Sequence, residues 1–107
     1  MNKTFSIIST CSGAMDHFAF HGNIDALAET HLKELPGKIQ RPLVTLDFGN
    51  TGRINSMGIA LLLRCLKTIK EEKKASVRLV KPNQMNTLLF KMTGISLLAE
   101  LVSDRTC

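Results

Sequence analysis

The chain has 107 residues, 44% hydrophobic and 21% charged, with a formal net charge of +5. That length and composition fit one domain over residues 1–107 with an aliphatic core, since Trp and Tyr are absent, and a globular chain rather than a disordered one. Gly58–Leu63, the longest apolar run, falls far short of the about 20 residues a spanning helix needs, so no membrane insertion is expected. The first residues do not read as a signal peptide. Cys11, Cys65 and Cys107 are odd in number and lack a CxxC spacing, which suits a reducing cytoplasm rather than a disulfide framework or a zinc site. A basic balance permits nucleic acid, an anionic membrane surface or an acidic partner. No aromatic–basic stripe suited to stacking bases is present, so nucleic acid is not expected.

In chain order, "TFSIIS" and "AMDHFAF" are β-prone runs separated by "TCSG", a hairpin. "GNIDALAETHLKEL" follows with helical spacing of Ile24, Leu27, Ala28, His31, Leu32 and Leu35. Asn23 or Asp25 can cap it, and Pro36–Gly37 ends it. "RPLVTLDF" is a strand whose near-continuous apolar run suits cover on both faces. A loop is expected over Gly49–Asn55. The helix after it places Ile59, Leu62, Leu63, Leu66 and Ile69 on one face, widened by Leu61 and Cys65. "SVRLVKP" is a strand stopped by Pro82. "NQMNTLLFKMTG" is a helix capped by Asn83 and stopped by Gly94, with Met85, Leu88, Leu89 and Met92 as its buried face. "ISLLAELVSDRTC" reads as a helical turn and a last strand around Glu100–Ser103. The order β-β-α-β-α-β-α-(β) implies an α/β fold with a mostly parallel, mixed sheet of four or five strands, its helices packed mainly on one face.

Several residue groups invite chemistry. Asp25 and Asp47 lie near loop ends with no nucleophile or base beside them, and they read as loop and cap organisers. His17 and His21, four apart on a strand, sit about 13 Å apart, too wide for one metal ion. With His31 they read as flanking histidines, and no metal or cofactor is expected. Arg64, Lys67, Lys70, Lys73, Lys74, Arg78 and Lys81 are seven of the 14 basic residues. Arg64, Lys67, Lys70 and Lys74 follow helical spacing away from the apolar stripe, as a solvated face or a docking surface for an acidic partner or lipid headgroups. Ser56 stands where a loop enters the apolar helix. Either it or Asn55 can act as N-cap.

"LDF" at Leu46–Phe48 and "INSMGIALLL" at Ile54–Leu63 resemble the STAS domain family, whose strand ends "LDL" and whose next helix opens "(I/M)DSSG(L/I)". The eight positions from Asp47 to Asn55 match that spacing. "FHGNIDA" at Phe20–Ala26 is similar to the family's "GxxDA" helix entry, and "VRLVKPNQMNTLLFKMTGI" to its following strand, helix and turn. The resemblance covers nearly the whole chain and rests on the ordered set rather than on one motif. Asn55 replaces the usual Asp. Met57 stands at the second serine, which takes phosphate in sporulation-type antagonists, and Ser56 at the first, the hydroxyl phosphorylated in stressosome-type proteins. The chain ends at Cys107, about where many antagonists begin a final helix.

The resemblance implies a non-enzymatic binding module, an anti-sigma factor antagonist acting by partner switching with an anti-sigma factor serine kinase. Ser56 is then the phosphorylation candidate, and Asn50, Arg53, Asn55, Ser56, Met57 and Gly58 are the partner-binding residues. A helix N-terminus tolerates a phosphate, and Arg53 is near enough in sequence to help hold one or to meet an acidic partner. Met57 reads either as a partly exposed side chain at the helix start or as an apolar anchor for a partner. The alternative is the small STAS accessory subunit of a bacterial lipid-transport ABC complex, which binds the ATPase subunit. That subunit likewise has a hydroxyl followed by a residue that cannot be phosphorylated.

Overall fold

Alternation of apolar and polar side chains builds the first hairpin. β1 (Ser6–Ser12) and β2 (Met15–Ile24) pair antiparallel in unbroken register from Ser6 opposite His21 to Ser12 opposite Met15. Gly13, at φ +61°, makes the tight reversal that a side chain would resist. The computed structural model describes residues 5–102. Thr4 of the expected first strand, Ser103 of the expected last strand and the Cys107 thiol lie outside them.

A 3-10 turn (Ala26–Ala28), α1 (Glu29–Glu34) and a second 3-10 turn (Leu35–Lys38) return the chain to the sheet. β3 (Leu43–Ile54) lies parallel to β2, and β4 (Ser76–Val80) parallel to β3. α2 (Ser56–Thr68) joins β3 to β4, its last turn widening into a π-helical turn (Ile69–Lys73) that ends at Lys74 in the left-handed conformation. α3 (Gln84–Met92) and α4 (Ile95–Leu98) lead to β5 (Glu100–Leu101), parallel to β4. The sheet has five strands in the order β1-β2-β3-β4-β5, with one antiparallel pair and the rest parallel. This is the expected α/β architecture.

Phe18 and Phe20 on β2, Val44, Leu46 and Phe48 on β3, and Val77 and Leu79 on β4 point to one side. Leu32 of α1, Leu62 and Leu66 of α2, and Phe90 of α3 belong to the same core. Four aromatic rings run through it edge to face, Phe5–Phe20–Phe48–Phe90, with centroids 5.6, 5.1 and 5.0 Å apart. β3 is not covered on both faces. Its other side faces the open sheet surface, where Asp47 approaches His17 of β2 at 3.5 Å and Arg78 of β4 approaches Glu100 of β5 at 3.6 Å.

Three further expectations are corrected. The loop expected over Gly49–Asn55 is strand as far as Ile54, because β2 runs on beside it, with His21 opposite Asn50 and Ile24 opposite Ile54 across two register shifts. Leu27 is 79% exposed: it lies in the 3-10 turn, whose periodicity differs from that of the α-helix used to place it. The buried side of α3 is Asn86 and Phe90, with Leu89 half-buried. Met85, Leu88 and Met92 face outward, so the helix is rotated from the expected setting.

Candidate functional site

The carboxyl ends of β2 and β3 converge beneath the start of α2. Asn55 leaves β3 in extended conformation, and its Oδ1 accepts the Gly58 N–H at 2.8 Å. Asn55 is therefore the N-cap, and its own N–H donates to the Ile24 carbonyl at 3.2 Å. Ser56 is the first helical residue, exposed, and Met57 beside it is 51% exposed. Gly58 is buried. A Cβ there would strike the Ile24 carbonyl group, so the helix start rests directly on the end of β2. Gly58 thus cannot itself meet a partner through an exposed surface, and its part in the site is close approach.

The neighbouring polar residues fix this corner. Asn23 Oδ1 accepts the Arg53 N–H at 2.8 Å, and Thr51 Oγ1 donates to the Phe20 carbonyl at 3.4 Å. Asn86, buried on α3, donates through Nδ2 to the Gly52 carbonyl at 3.2 Å, which ties α3 to the same strand end. Asp47 Oδ1 accepts the Gly49 N–H at 2.8 Å, and Asp25 Oδ1 accepts the Leu27 N–H at 3.0 Å. Each carboxylate holds the backbone N–H two residues on, Asp47 within β3 and Asp25 at the start of the 3-10 turn. Asn50 and Arg53 are exposed. Arg53, Asn55, Asn83 and Met85 share one groove of about 920 Å³.

No protein-family model and no curated protein matches the sequence. Solved structures do match the fold. An anti-sigma factor antagonist from Mycobacterium paratuberculosis superposes with a TM-score of 0.72 at 14% identity, over 98% of this chain and 92% of that one. The chain has the STAS fold. SpoIIAA, a Bacillus cell fate determinant, in its phosphorylated form gives a TM-score of 0.62 at 12% identity, over 94% and 92% of the two chains. The STAS domain of a SulP transporter from Vibrio cholerae gives 0.61 at 18% identity, over 84% and 71%.

On this STAS fold, Asn55, Ser56 and Met57 follow one another across the join of β3 and α2, with Arg53 just before them beyond the buried Ile54. Asn50 lies farther back on β3, and Asp47 farther still, its side chain on the open face against His17. Asn86 carries no expectation from the sequence, and Asn23, expected as a possible helix cap, instead braces β3 while Asp25 does the capping. The partners of these two amides lie 30 and 34 positions away. Among the described residues no cluster of three or more His, Cys, Asp or Glu side chains could hold a metal ion, and no helix is long and apolar enough to cross a membrane.

Proposed function

We propose that this chain is a cytoplasmic, non-catalytic regulatory module of the anti-sigma factor antagonist kind, in which a protein partner docks on the start of α2. Asn50, Arg53, Asn55, Ser56 and Met57 form the contact surface, Gly58 sets the height of the helix above β2, and Asp25 and Asp47 hold the adjoining backbone. One observation carries the reading: Asn55 does the capping, while Ser56 stands exposed beside it. The hydroxyl is therefore free for another use. A phosphate on Ser56 would add about −1.5 to −2 charges at the positive end of α2. Charge at that point is compatible with the helix and changes what can dock. The partner in this reading is an anti-sigma factor serine kinase, which supplies its own ATP and magnesium.

Met57 supports a second reading. It places an exposed thioether where sporulation-type antagonists carry the phosphorylated serine. A constitutive apolar anchor there suits the accessory subunit of a lipid-transport ABC complex, docked on the ATPase subunit. Purification of the tagged chain from its source cells separates the two. A co-purifying serine kinase, with phosphate on the peptide containing Ser56, is expected of the partner switch. An ABC ATPase with unmodified Ser56 selects the transport subunit. If Ser56→Asp left the affinity of the co-purified partner unchanged, Ser56 would have no part in docking.

A further inference from the structure

Seen down its axis, α3 has a buried face and a separate, exposed apolar face. At about 100° per residue, Asn86 and Phe90 point one way and Met85, Leu88 and Met92 point roughly 150° away from them. The rotation is fixed from inside: Phe90 packs on Phe48, and Asn86 holds the Gly52 carbonyl. Met85, Leu88 and Met92 consequently stand 66%, 54% and 73% exposed. They line a ridge about 10 Å long at 1.5 Å per residue, two turns of helix. A groove of about 730 Å³ runs along it, walled by Pro82, Gln84, Met85, Thr87, Leu88 and Lys91. Met85 also walls the groove of Arg53 and Asn55, so the two surfaces are continuous.

We propose that this outer face of α3 is a docking groove for an acidic amphipathic helix of the protein partner, extending the surface around Ser56; the inference rests on the binding-module reading above. The spacing i, i+3, i+7 suits a helix laid along the groove, and methionine adapts to such a surface. The charged residues among those lining the two grooves, Arg53 and Lys91, are both basic. An acidic rim on the partner complements them. A second copy of this chain fits poorly. Its α2 and the π-helical turn after it offer the exposed Arg64, Lys67 and Lys70, which would meet Lys91 with like charge. A membrane surface fits poorly too, because α3 carries one basic residue, Lys91, where a lipid-binding helix carries several.

A photoreactive amino acid placed at Met57 and, separately, at Leu88 of the full chain in its source cells tests this. Both positions are expected to capture the same protein, with the Leu88 adduct on an acidic, amphipathic helical segment. An adduct of Leu88 with a second copy, with lipid or with a segment that is not acidic overturns the proposal, as does no adduct at Leu88 whatever Met57 captures. An acidic helix captured at Leu88 with nothing at Met57 upholds the groove and removes the reading around Ser56. With the partner purified, Leu88→Asp and Lys91→Glu are each expected to weaken binding at least about tenfold, and the affinity should fall as salt rises. Ile8→Asp, on β1 at the far edge of the sheet, should leave binding unchanged, with circular dichroism confirming the fold of each variant. Native affinity in Leu88→Asp overturns the proposal.

Discussion

At Gly58 two preferences oppose each other. Alanine favours helix by about 1 kcal/mol over glycine. Yet its Cβ would meet the Ile24 carbonyl, which is backbone and belongs to a paired strand. Overpacking of this kind costs about 1–3 kcal/mol or more. Gly58→Ala is therefore expected to lower the urea midpoint despite the better helix former. Next to it, Asn55→Ala should cost about 1 kcal/mol through loss of the cap. Ser56→Ala should stay within about 0.5 kcal/mol, since an exposed residue outside the cap carries little stability. Urea unfolding of the three variants checks the set. A large loss in Ser56→Ala would return that residue to a structural role.

At the next scale, two connections are held by one carboxylate. Asp16, buried at the start of β2, accepts the N–H groups of Gln40 at 2.8 Å and Arg41 at 3.0 Å, and meets the Arg41 guanidinium at 3.2 Å. Arg41 Nε also donates to the Gly13 carbonyl at 3.0 Å, so the hairpin turn and the entry to β3 are clasped together. Burial raises the Asp16 pKa, but the two backbone donors and Arg41 outweigh it and hold the carboxyl below its usual 3.8. The unfolded chain then takes up that proton more readily than the folded one. The stabilisation is complete above the unfolded value and is lost as pH falls through the folded value. Urea midpoints should therefore drop as pH falls below about 5, and Asp16→Asn should be less stable at about pH 5 with a shallower drop.

The sequence announced the elements better than their faces or ends. The order of strands and helices, the Asn83 cap and the Gly94 stop were legible because each is a local signal. The setting of α3 was not. Its apolar residues span a wide arc, and the choice between them falls to Phe48 and Gly52, more than 30 positions away. β3 looked finished at Phe48 because glycine and polar residues follow, yet β2 supplies backbone partners as far as Ile54. Of the site, the Asn55–Ser56 junction was visible as a capping pattern. The bracing roles of Asn23, which looked like a local cap, and of Asn86 were not legible, since they lie wholly in tertiary contact.

For the molecule as a whole, Cys65 reports on the integrity of the core. It is buried on α2, and burial pushes its thiol up to about 12, whereas Cys11 is exposed on β1. Alkylation proceeds through the thiolate. Iodoacetamide at about pH 8 should therefore modify Cys11 in the folded protein and reach Cys65 only when the core opens. Peptide masses taken over time, with and without denaturant, check this. Equal rates at the two thiols in the native protein would mean that α2 opens locally.

The strands also stand side by side in the order in which they are synthesised. Each new strand joins the edge left by the one before, and none has to be inserted between strands already paired. A chain leaving the ribosome can extend its sheet strand by strand. α3 comes near the end of that sequence, and with it the ring of Phe90 that packs on Phe48 and the amide that holds Gly52. A nascent or truncated chain that stops short of α3 lacks the Asn86 amide that braces the strand end beside Ser56 as well as the outer face of α3. A partner that docked on both surfaces, as proposed above, would find neither complete on an unfinished copy.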